Sequence, residues 1–339
     1  MNDALFDASA LAIVIVNYNS WEDLIECIES IYSSKSSGYK VIVCDNASHD
    51  GSVEKLLEWV DGKLDLEFNG PQKYDGYVSQ KPDSYLHIEA NGQENGDENA
   101  SLVVIETGAN LGFAGGNNVG LRYGLDKLDV EYFWLLNADT TIPNDAIEQL
   151  TVRMREEPEL GLCGTIIRFY HAPSTLQALG GATYNKWSGN SRGIASHYQY
   201  PHTFDRKDVE QKTDFIVGAS LCTTRGFLNS VGLMEESYFL YYEEIDWSTR
   251  NRDRFRHGLA DKAEIFHKEG GAIGTSSIPG QRGSVSEYYL VSSKLAFTWR
   301  FFPEAFVSVY GISMVMLVKR LLQRRWKNAK AVFRALTFQ

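Results

Sequence analysis

The stretch 132–142 constrains the fold most, because it joins an apolar strand to a polar loop that carries a carboxylate. Residues 132–136 are all apolar or aromatic and predict a strand buried inside a sheet. The pattern stops at Asn137-Ala138-Asp139, and a helical spacing of apolar side chains begins after Pro143. Asp139 therefore follows the carboxyl end of a strand, where ligands bind in open α/β sheets. Such a carboxylate can hold a divalent cation that holds a phosphate, or it can merely cap the next helix.

The same unit of buried strand, polar loop and helix occurs at three earlier places in the chain. Unbroken apolar runs at 11–16, 41–44 and 102–105 are typical of strands buried on both faces. Successive strand–helix units predict a mostly parallel, Rossmann-like central sheet flanked by helices, hence an α/β fold. The loops at the carboxyl ends of these strands should then converge on one crevice.

The loop at 110–118 contains three glycines, but their spacing is not that of a dinucleotide fingerprint. The loop also follows the third strand rather than the first, which argues against an oxidoreductase of the Rossmann type. We expect the glycine backbone to approach a bulky ligand, with a glycine-rich turn that binds nothing as the alternative. In the same crevice, Asn17 and Asp45 would face a heterocycle or ribose, and Asp139 would face a metal. This arrangement is typical of a nucleotide-diphosphate site built without a P-loop.

Composition excludes several other classes of protein. A net charge of −11 argues against a dedicated nucleic-acid binder, which needs basic stripes. The four cysteines are scattered and form no CxxC pair, so neither a zinc site nor a disulfide framework is predicted, and a reducing, cytoplasmic compartment fits best. The N-terminus lacks the features of a signal peptide, and no apolar run reaches the roughly 18 to 20 residues that a spanning helix needs.

The chain divides by composition into three parts. Residues 1–10 form an N-terminal tail and 11–300 the α/β domain, within which 61–100 is a polar insertion at the sheet edge or an acceptor-recognition flap. Residues 301–339 form an apolar and then basic helical tail, which has seven basic and no acidic residues from Lys319 onward. This pattern predicts peripheral contact with the cytoplasmic face of a membrane. A dimer interface or a helix packed on the core is the alternative.

Four motifs in order, followed by an acidic motif and a histidine, resemble family 2 glycosyltransferases of the GT-A fold. The similarity runs from about residue 11 to about residue 300, and the rhamnosyltransferase-like and galactofuranosyltransferase-like branch is the most similar. The four motifs lie at 13–20, 44–48, 110–118 and 135–140. The resemblance implies an inverting transfer of a sugar from a nucleotide-diphosphate donor to an acceptor hydroxyl, with Mn²⁺ or Mg²⁺ as cofactor. The C-terminal helices would be an extension of this fold.

The resemblance also assigns roles to individual residues. Tyr18 and Asp45 would face the nucleobase, and Asn137-Ala138-Asp139 stands where the family keeps its metal-binding carboxylates, although Asp139 is the one acid in this motif here. The full set of predicted nucleotide-sugar-binding residues is Val16, Asn17, Tyr18, Asn19, Asp45, Asn46, Asn110, Gly112, Gly115, Asn117, Asn137 and Ala138.

The family's catalytic-base motif matches Glu243-Glu244-Ile245-Asp246, where Glu244 would be the base and Asp246 is the second candidate. On a helix these two side chains diverge by about 200°, so one base rather than a dyad is expected. Asp246 would instead form an ion pair with Arg250. His267 matches a metal-ligand histidine, with a structural role as the alternative. Residues 271–286 are a candidate lid with Arg282 on the diphosphate, or a plain surface loop.

The leading hypothesis is therefore a glycosyltransferase in polysaccharide or glycolipid assembly. Its donor would be a dTDP-, UDP- or GDP-sugar and its acceptor a saccharide or lipid-linked saccharide. A catalytically inactive nucleotide-sugar-binding subunit is a second hypothesis. A nucleotidyltransferase is a third, disfavoured because the loop after the first strand has no basic residue to stabilise a triphosphate.

Overall fold

The structure, a computed structural model, describes residues 5–71, 73, 77–269 and 283–338. Its centre is a large, mostly parallel β-sheet with helices on both faces, followed by helices at the C-terminal end. The predicted α/β class with a parallel, Rossmann-like central sheet and a C-terminal helical region is confirmed.

The bounds of the elements are as follows. The strands are β1 Phe6–Asp7, β2 Leu11–Asn17, β3 Ser36–Ser37, β4 Lys40–Asp45, β5 Tyr85–Ile88, β6 Glu94–Gly96, β7 Leu102–Glu106, β8 Tyr132–Asn137, β9 Thr140–Thr141, β10 Leu160–Phe169, β11 Ala172–Leu179, β12 Gly181–Asn185, β13 Asn190–Gly193, β14 Phe215–Ile216, β15 Ser220–Thr224 and β16 Arg256–His267. The helices are α1 Trp21–Tyr32, α2 Ser52–Val60, α3 Gly112–Lys127, α4 Ala146–Glu156, α5 Arg206–Lys212, α6 Arg225–Val231, α7 Glu243–Asn251, α8 Ser284–Phe301, α9 Phe306–Leu322 and α10 Trp326–Leu336.

The sheet order explains why four loops meet at one edge. Along the sheet the strands run β6-β5-β7-β4-β2-β8-β15-β10-β16-β9, with β11 added on β10. The strands β5, β7, β4, β2 and β8 are all parallel, so their carboxyl ends share one edge. Strand β15 is antiparallel to β8 and brings its N-terminal turn to that same edge.

The unbroken apolar runs are explained by burial on both faces of the sheet. In β2, Ile13 and Ile15 belong to the core on one face, whereas Ala12 and Val14 belong to the core on the other face. Burying such a side chain fully contributes about 1.5–3 kcal/mol to folding. The four cysteines are buried and free.

Helix α3 corrects the prediction for the glycine-rich segment. The helix begins at Gly112, so the glycines lie in its first turns rather than in a loop before it. An added Cβ would lie 2.7 Å from the Val16 side chain at Gly116, 2.5 Å from that of Val14 at Gly120, and 2.6 Å from that of Phe133 at Gly124. This spacing of four residues places a flat glycine face on the sheet, and side chains there would push the helix away.

The segment between β10 and β15 has no clear periodicity in sequence, yet it contains regular structure. It forms β11, a small sheet ordered β13-β12-β14, and the short helix α5. Part of the polar stretch 61–100 likewise forms the last two strands at one end of the sheet, β5 and the edge strand β6. These short elements have few apolar side chains, so sequence periodicity does not reveal them.

The C-terminal helices are longer than the apolar run predicted. The segment Pro303–Leu322 has 20 residues, a mean hydropathy of 1.6 and 28% of its most apolar window buried, so by length and composition it is able to cross a membrane. The prediction that no segment is long enough to span a membrane was wrong, because it ended the apolar run before the basic residues of the last helical turn. Helix α9 packs on α8 and α10 in this structure.

Candidate active site

The ends of β2 and β4 form the first part of the site. These strands are parallel neighbours, with Asn17 paired in register with Asp45. The buried Asn17 amide donates to Asp45 Oδ1 at 2.8 Å, and Ser48 donates to Asp45 through its hydroxyl at 2.7 Å and its backbone N–H at 2.9 Å. Asn17 Oδ1 is buried and has no hydrogen-bond partner within the described residues. An N–H donor of a ligand would satisfy it.

Ser48 also ties the two loops together. Its hydroxyl accepts from the Asn19 backbone N–H at 2.9 Å, and the Asn19 side chain in turn accepts from the His49 N–H at 2.7 Å. Asn19 has a positive φ of 51°, which turns the chain back over the strand end. Tyr18 lies in this turn and is half-buried.

The residues predicted from the glycine-rich segment are used largely inside the protein. Gly112 has a φ of +72°, and a Cβ there would lie 2.2 Å from the Phe239 carbonyl oxygen. Gly115 is buried against Leu111, and Asn117 is buried and donates to the Phe113 carbonyl at 3.0 Å. Contacts inside the protein therefore involve all three residues, and the expected approach of glycine backbone to a ligand stays a prediction.

Asn46 and Asn110 hold the start of α3 in place. The buried Asn46 amide donates to the Gly112 carbonyl at 2.9 Å, and the Asn110 side chain accepts from the Gly112 N–H at 3.0 Å. Val16 packs under the same helix at Gly116. These side chains fix the floor of the crevice.

The predicted metal ligands are adjacent in space although they are far apart in sequence. Strand β8 lies beside β2, and after it the short strand β9 pairs with the end of β16, with Thr140 opposite His267. This pairing brings His267 Nε2 to 3.1 Å from Asp139 Oδ1. His267 Nδ1 is 2.8 Å from Gln177 Oε1, which fixes the orientation of the ring.

The electrostatics of this pair favour opposite charges. Burial raises the pKa of Asp139, but the charge and hydrogen bond of His267 outweigh it, so the net pKa lies below the ordinary value. Burial lowers the pKa of His267, but the charge and hydrogen bond of Asp139 outweigh burial, so the net pKa lies above the ordinary value. A cation placed between them would take over the role of the imidazolium.

The donor set fits a divalent cation of the Mn²⁺ type. Carboxylate oxygen suits both Mg²⁺ and Mn²⁺, and imidazole nitrogen favours the transition metal. Among the residues that the structure describes, no group of three or more His, Cys, Asp or Glu side chains is placed to hold a metal. The remaining positions of a cation at Asp139 and His267 would therefore fall to phosphate oxygens and water, as is usual for Mg²⁺-type sites.

Glu244 reaches this region through the turn before β15. The Asn137 backbone N–H donates to the Ala219 carbonyl at 3.2 Å, and the neighbouring Gly218 lies directly against the Glu244 carboxylate. A Cβ at Gly218 would lie 2.1 Å from Glu244 Oε1. The turn therefore links Glu244 to the Asn137-Ala138-Asp139 motif.

The backbone before Glu244 is strained and firmly anchored. Phe239, Tyr241 and Tyr242 have φ values of 56°, 67° and 76°, a conformation that costs an aromatic residue roughly 1–2 kcal/mol. The Phe239 carbonyl accepts from the Phe113 N–H at 2.9 Å, and Ser293 of α8 donates to the Leu240 carbonyl at 2.9 Å. Strain of this kind is common where a functional side chain is held in place.

Asp246 does not face Glu244. It is fully buried, accepts from the Tyr238 hydroxyl at 2.9 Å and forms ion pairs with Arg250 at 2.5 Å and Arg300 at 3.2 Å. The predicted pair with Arg250 is present, and the partners of Asp246 differ from the Gly218 contact of Glu244. These contacts give Asp246 the role of holding α7 against α8.

Several residues of the site are missing from the sequence prediction. Ser48 and Gly218 lie within motifs or strands but carry no signal of their own, and Gln177 comes from a segment without periodicity. Lys268, next to His267, forms ion pairs with Asp23 at 2.5 Å and Glu26 at 2.6 Å on α1. The candidate lid at 271–286 lies outside the described residues up to residue 282, and so does Arg282.

Comparison with known proteins agrees with this fold. Residues 12–70 match the family model described as glycosyl transferase family 2. The low-salt glycan biosynthesis hexosyltransferase Agl10 of Haloferax volcanii is 24% identical over 260 residues, which cover 76% of this chain and 67% of the relative.

Two solved structures share the fold at low sequence identity. GalNAc-T7 with UDP, GalNAc and Mn²⁺ superposes with a TM-score of 0.53 at 14% identity and 86% coverage of this chain, which spans about half (48%) of the GalNAc-T7 chain. Residues 1–349 of Staphylococcus aureus TarS with UDP-GlcNAc superpose with a TM-score of 0.53 at 12% identity, covering 96% of this chain and 81% of TarS. The chain thus has the GT-A fold of solved glycosyltransferases, and its residues 12–70 carry the sequence pattern of glycosyl transferase family 2.

Proposed function

We propose that this protein is an inverting glycosyltransferase that uses a nucleotide-diphosphate sugar. One observation carries the proposal: three chemically distinct groups meet at the carboxyl edge of the sheet. In this proposal Asn17 and Asp45 would face a nucleobase, Asp139 and His267 a metal diphosphate, and Glu244 an acceptor hydroxyl. The family 2 match at 12–70 and the hexosyltransferase relative support the same activity.

The nucleobase would lie between the loops that follow β2 and β4. Asp45 accepts from donors of Asn17 and Ser48, so its orientation is fixed before a ligand binds. The unpartnered Asn17 Oδ1 offers one more acceptor for a base N–H. Uracil, thymine and guanine all carry such an N–H, so a UDP-, dTDP- or GDP-sugar fits this contact. The contact does not select the sugar.

The diphosphate would lie at Asp139 and His267. A divalent cation held there supplies the positive charge that the departing nucleoside diphosphate needs. Gln177 keeps His267 oriented, and Lys268 is held beside it by Asp23 and Glu26. These residues position the donor and take no proton in the reaction.

Glu244 is the proposed general base. It would take the proton of the acceptor hydroxyl as the oxygen attacks the anomeric carbon, and one displacement inverts the configuration there. Burial raises the pKa of Glu244, which strengthens it as a base when it is charged. Asp246 is held by Tyr238, Arg250 and Arg300, so among these two carboxylates Glu244 is the one proposed to act, which supports a single displacement with inversion.

We also propose that residues 11–300 act as one catalytic domain with 61–100 as an insertion. The acceptor would be a saccharide or a lipid-linked saccharide, and the protein would work at the cytoplasmic face of a membrane. The rhamnosyltransferase-like branch stays a prediction.

A donor panel tests the activity. Purified protein is incubated with UDP-, GDP- and dTDP-sugars and Mn²⁺, and release of nucleoside diphosphate is measured with wild type and with Glu244→Gln. We expect turnover of one nucleotide class, lowered roughly 10²–10⁴-fold by Glu244→Gln while donor binding persists. Binding without turnover of any donor by wild type would instead support an inactive nucleotide-sugar-binding subunit.

A further inference from the structure

Helix α9 presents an apolar face that no described part of the chain covers. Its inward side chains include Val309 and Ser313, which are buried against the neighbouring helices. Between Phe306 and Val318 the helix has no charged residue. Its exposed apolar side chains are Val307, Ile312, Met314, Val315, Val318, Leu321 and Leu322.

Helix α10 adds aromatic and cationic side chains beside this face. Trp326 and Phe333 are 65% and 52% exposed, and their spacing of seven residues places both on the outer side of the helix. Lys330 and Arg334 share that side. Tryptophan together with lysine and arginine is typical of a surface at the level of lipid headgroups.

The basic side chains of this region fall into two groups. Arg320 and Arg325 pair with Glu287 of α8, at 2.7 Å and 3.7 Å, and hold the α9–α10 corner on the protein. The second group is Lys319, Arg324, Lys327, Lys330 and Arg334. Within the described residues, no carboxylate forms an ion pair with any of these five.

A cleft between α8 and α10 lies within this surface. Ser284, Val285, Tyr288 and Tyr289 of the first turns of α8 line one side of it. Lys327, Lys330 and Arg334 line the other. A phosphate oxygen in this cleft would be able to pair with these cations.

We propose that the outer faces of α9 and α10 dock on an anionic lipid bilayer, with a lipid phosphate in the cleft between α8 and α10. Charge complementarity selects this occupant, because the basic surface stands on a chain whose net charge is −11. A second copy joined through the same surface would bring the unpaired cations face to face. A spanning α9 would have to pull Arg320 from the buried carboxylate of Glu287, whereas a helix lying in the interface keeps that pair.

Vesicle sedimentation tests this docking independently of glycosyl transfer. The full chain is mixed with phosphatidylcholine vesicles and with vesicles that contain about one-third phosphatidylglycerol. We expect binding to the anionic vesicles and its loss at about 1 M salt, where charges are screened within a few ångströms. The triple variant Lys327→Ala/Lys330→Ala/Arg334→Ala should lower the partition coefficient roughly a hundredfold.

A matched variant separates local from overall charge. Lys207→Ala/Lys212→Ala/Lys262→Ala removes the same charge from exposed positions elsewhere and should bind like wild type. Val315→Ser/Leu322→Ser should weaken binding while circular dichroism stays unchanged. The proposal would be overturned if the two triple variants lost vesicle binding equally, or if the wild type did not bind anionic vesicles. It would also be overturned if light scattering showed a dimer that the Val315→Ser/Leu322→Ser variant no longer forms. Resistance of the vesicle-bound chain to alkaline carbonate extraction would do so too, because it indicates a spanning helix.

Discussion

The two adjacent glutamates at the start of α7 have different surroundings, and the difference assigns their protons. Glu243 is buried, and its Oε1 has no hydrogen-bond partner within the described residues. Burial, and then the charge of Glu244, raise the pKa of Glu243 well above the ordinary glutamate value. Glu244 is half-buried beside Gly218, and burial raises its pKa as well. We infer that Glu243 keeps its proton and Glu244 carries the charge.

This assignment predicts the pH dependence of the reaction. Glu244 acts as a base only when deprotonated, so kcat/KM should fall as the pH is lowered through its raised pKa. Glu243→Gln mimics the protonated neighbour and should leave kcat/KM at neutral pH within about threefold of wild type. Glu244→Gln should lower the activity strongly and remove this acidic limb from the activity that remains. An unchanged limb in Glu244→Gln would assign it to another group.

The same pair predicts how stability depends on pH. A carboxyl whose pKa is raised by folding contributes stability at low pH and loses it as the pH rises through the folded pKa. Glu243→Gln should therefore flatten the decline of melting temperature above the ordinary glutamate pKa. Thermal melts at a series of pH values compare it with wild type. Parallel curves for the two proteins would show that Glu243 does not titrate in this range.

At the scale of elements, the contact between α3 and the 239–242 loop positions the base. Gly112 has a positive φ and lies against the Phe239 carbonyl, so Gly112→Ala adds both backbone strain and a clash. We expect it to lower the free energy of unfolding by about 2–4 kcal/mol. Gly311→Ala is the control, since nothing lies within 4 Å of its Cβ position and alanine favours a helix by about 1 kcal/mol. Equal effects of the two substitutions on chemical denaturation would contradict this account.

Gly218→Ala addresses the other side of the base. The added Cβ would meet the Glu244 carboxylate, so the side chain has to leave its place beside the turn. We expect a loss of kcat of roughly tenfold to a hundredfold, since a misplacement of about 1 Å has this effect. Donor binding measured by calorimetry should stay within error of wild type, because Asp139 and His267 are untouched. Weakened donor binding would place Gly218 at the donor instead.

Elements buried on both faces were predictable, and contacts between distant segments were not. The run 11–16 predicts its strand because every position is apolar, and the helix after Glu243 gives the Asp246–Arg250 pair from local geometry. Helix α3 was missed at its start because the reason for its glycines is the sheet beneath them. The proximity of Asp139 and His267 is predicted by the family resemblance alone, since the two residues are 128 positions apart and are brought together by the pairing of β9 with β16.

At the scale of the whole molecule, α8 joins the tail to the catalytic centre. Ser293 of α8 donates to the loop before Glu244, and Glu287 of α8 pairs with Arg320 of α9. Glu287 is completely buried, so its charge needs this partner. Removal of the tail is therefore expected to loosen the loop that carries the base.

Arg320→Ala tests this connection. It leaves the buried Glu287 carboxylate with the more distant Arg325 at 3.7 Å, and we expect a loss of about 3–5 kcal/mol in the free energy of unfolding. Arg324→Ala, at an exposed position without an ion pair among the described residues, should change it by less than about 0.5 kcal/mol. Denaturation followed by circular dichroism measures both variants. Similar stabilities would show that the Glu287 pair does not hold the tail.

Calorimetric titration tests the proposal that the carboxyl edge of the sheet binds a nucleoside diphosphate together with a divalent metal ion. UDP, GDP and dTDP are titrated into wild type and Asp139→Ala, each with and without Mn²⁺, with Asp126→Ala as a control on the helix surface. We expect one nucleotide to bind only with Mn²⁺, and Asp139→Ala but not Asp126→Ala to weaken that binding at least tenfold, about 1.4 kcal/mol. Absence of binding by wild type to all three nucleotides would contradict the donor site and leave the family pattern as a mark of fold alone.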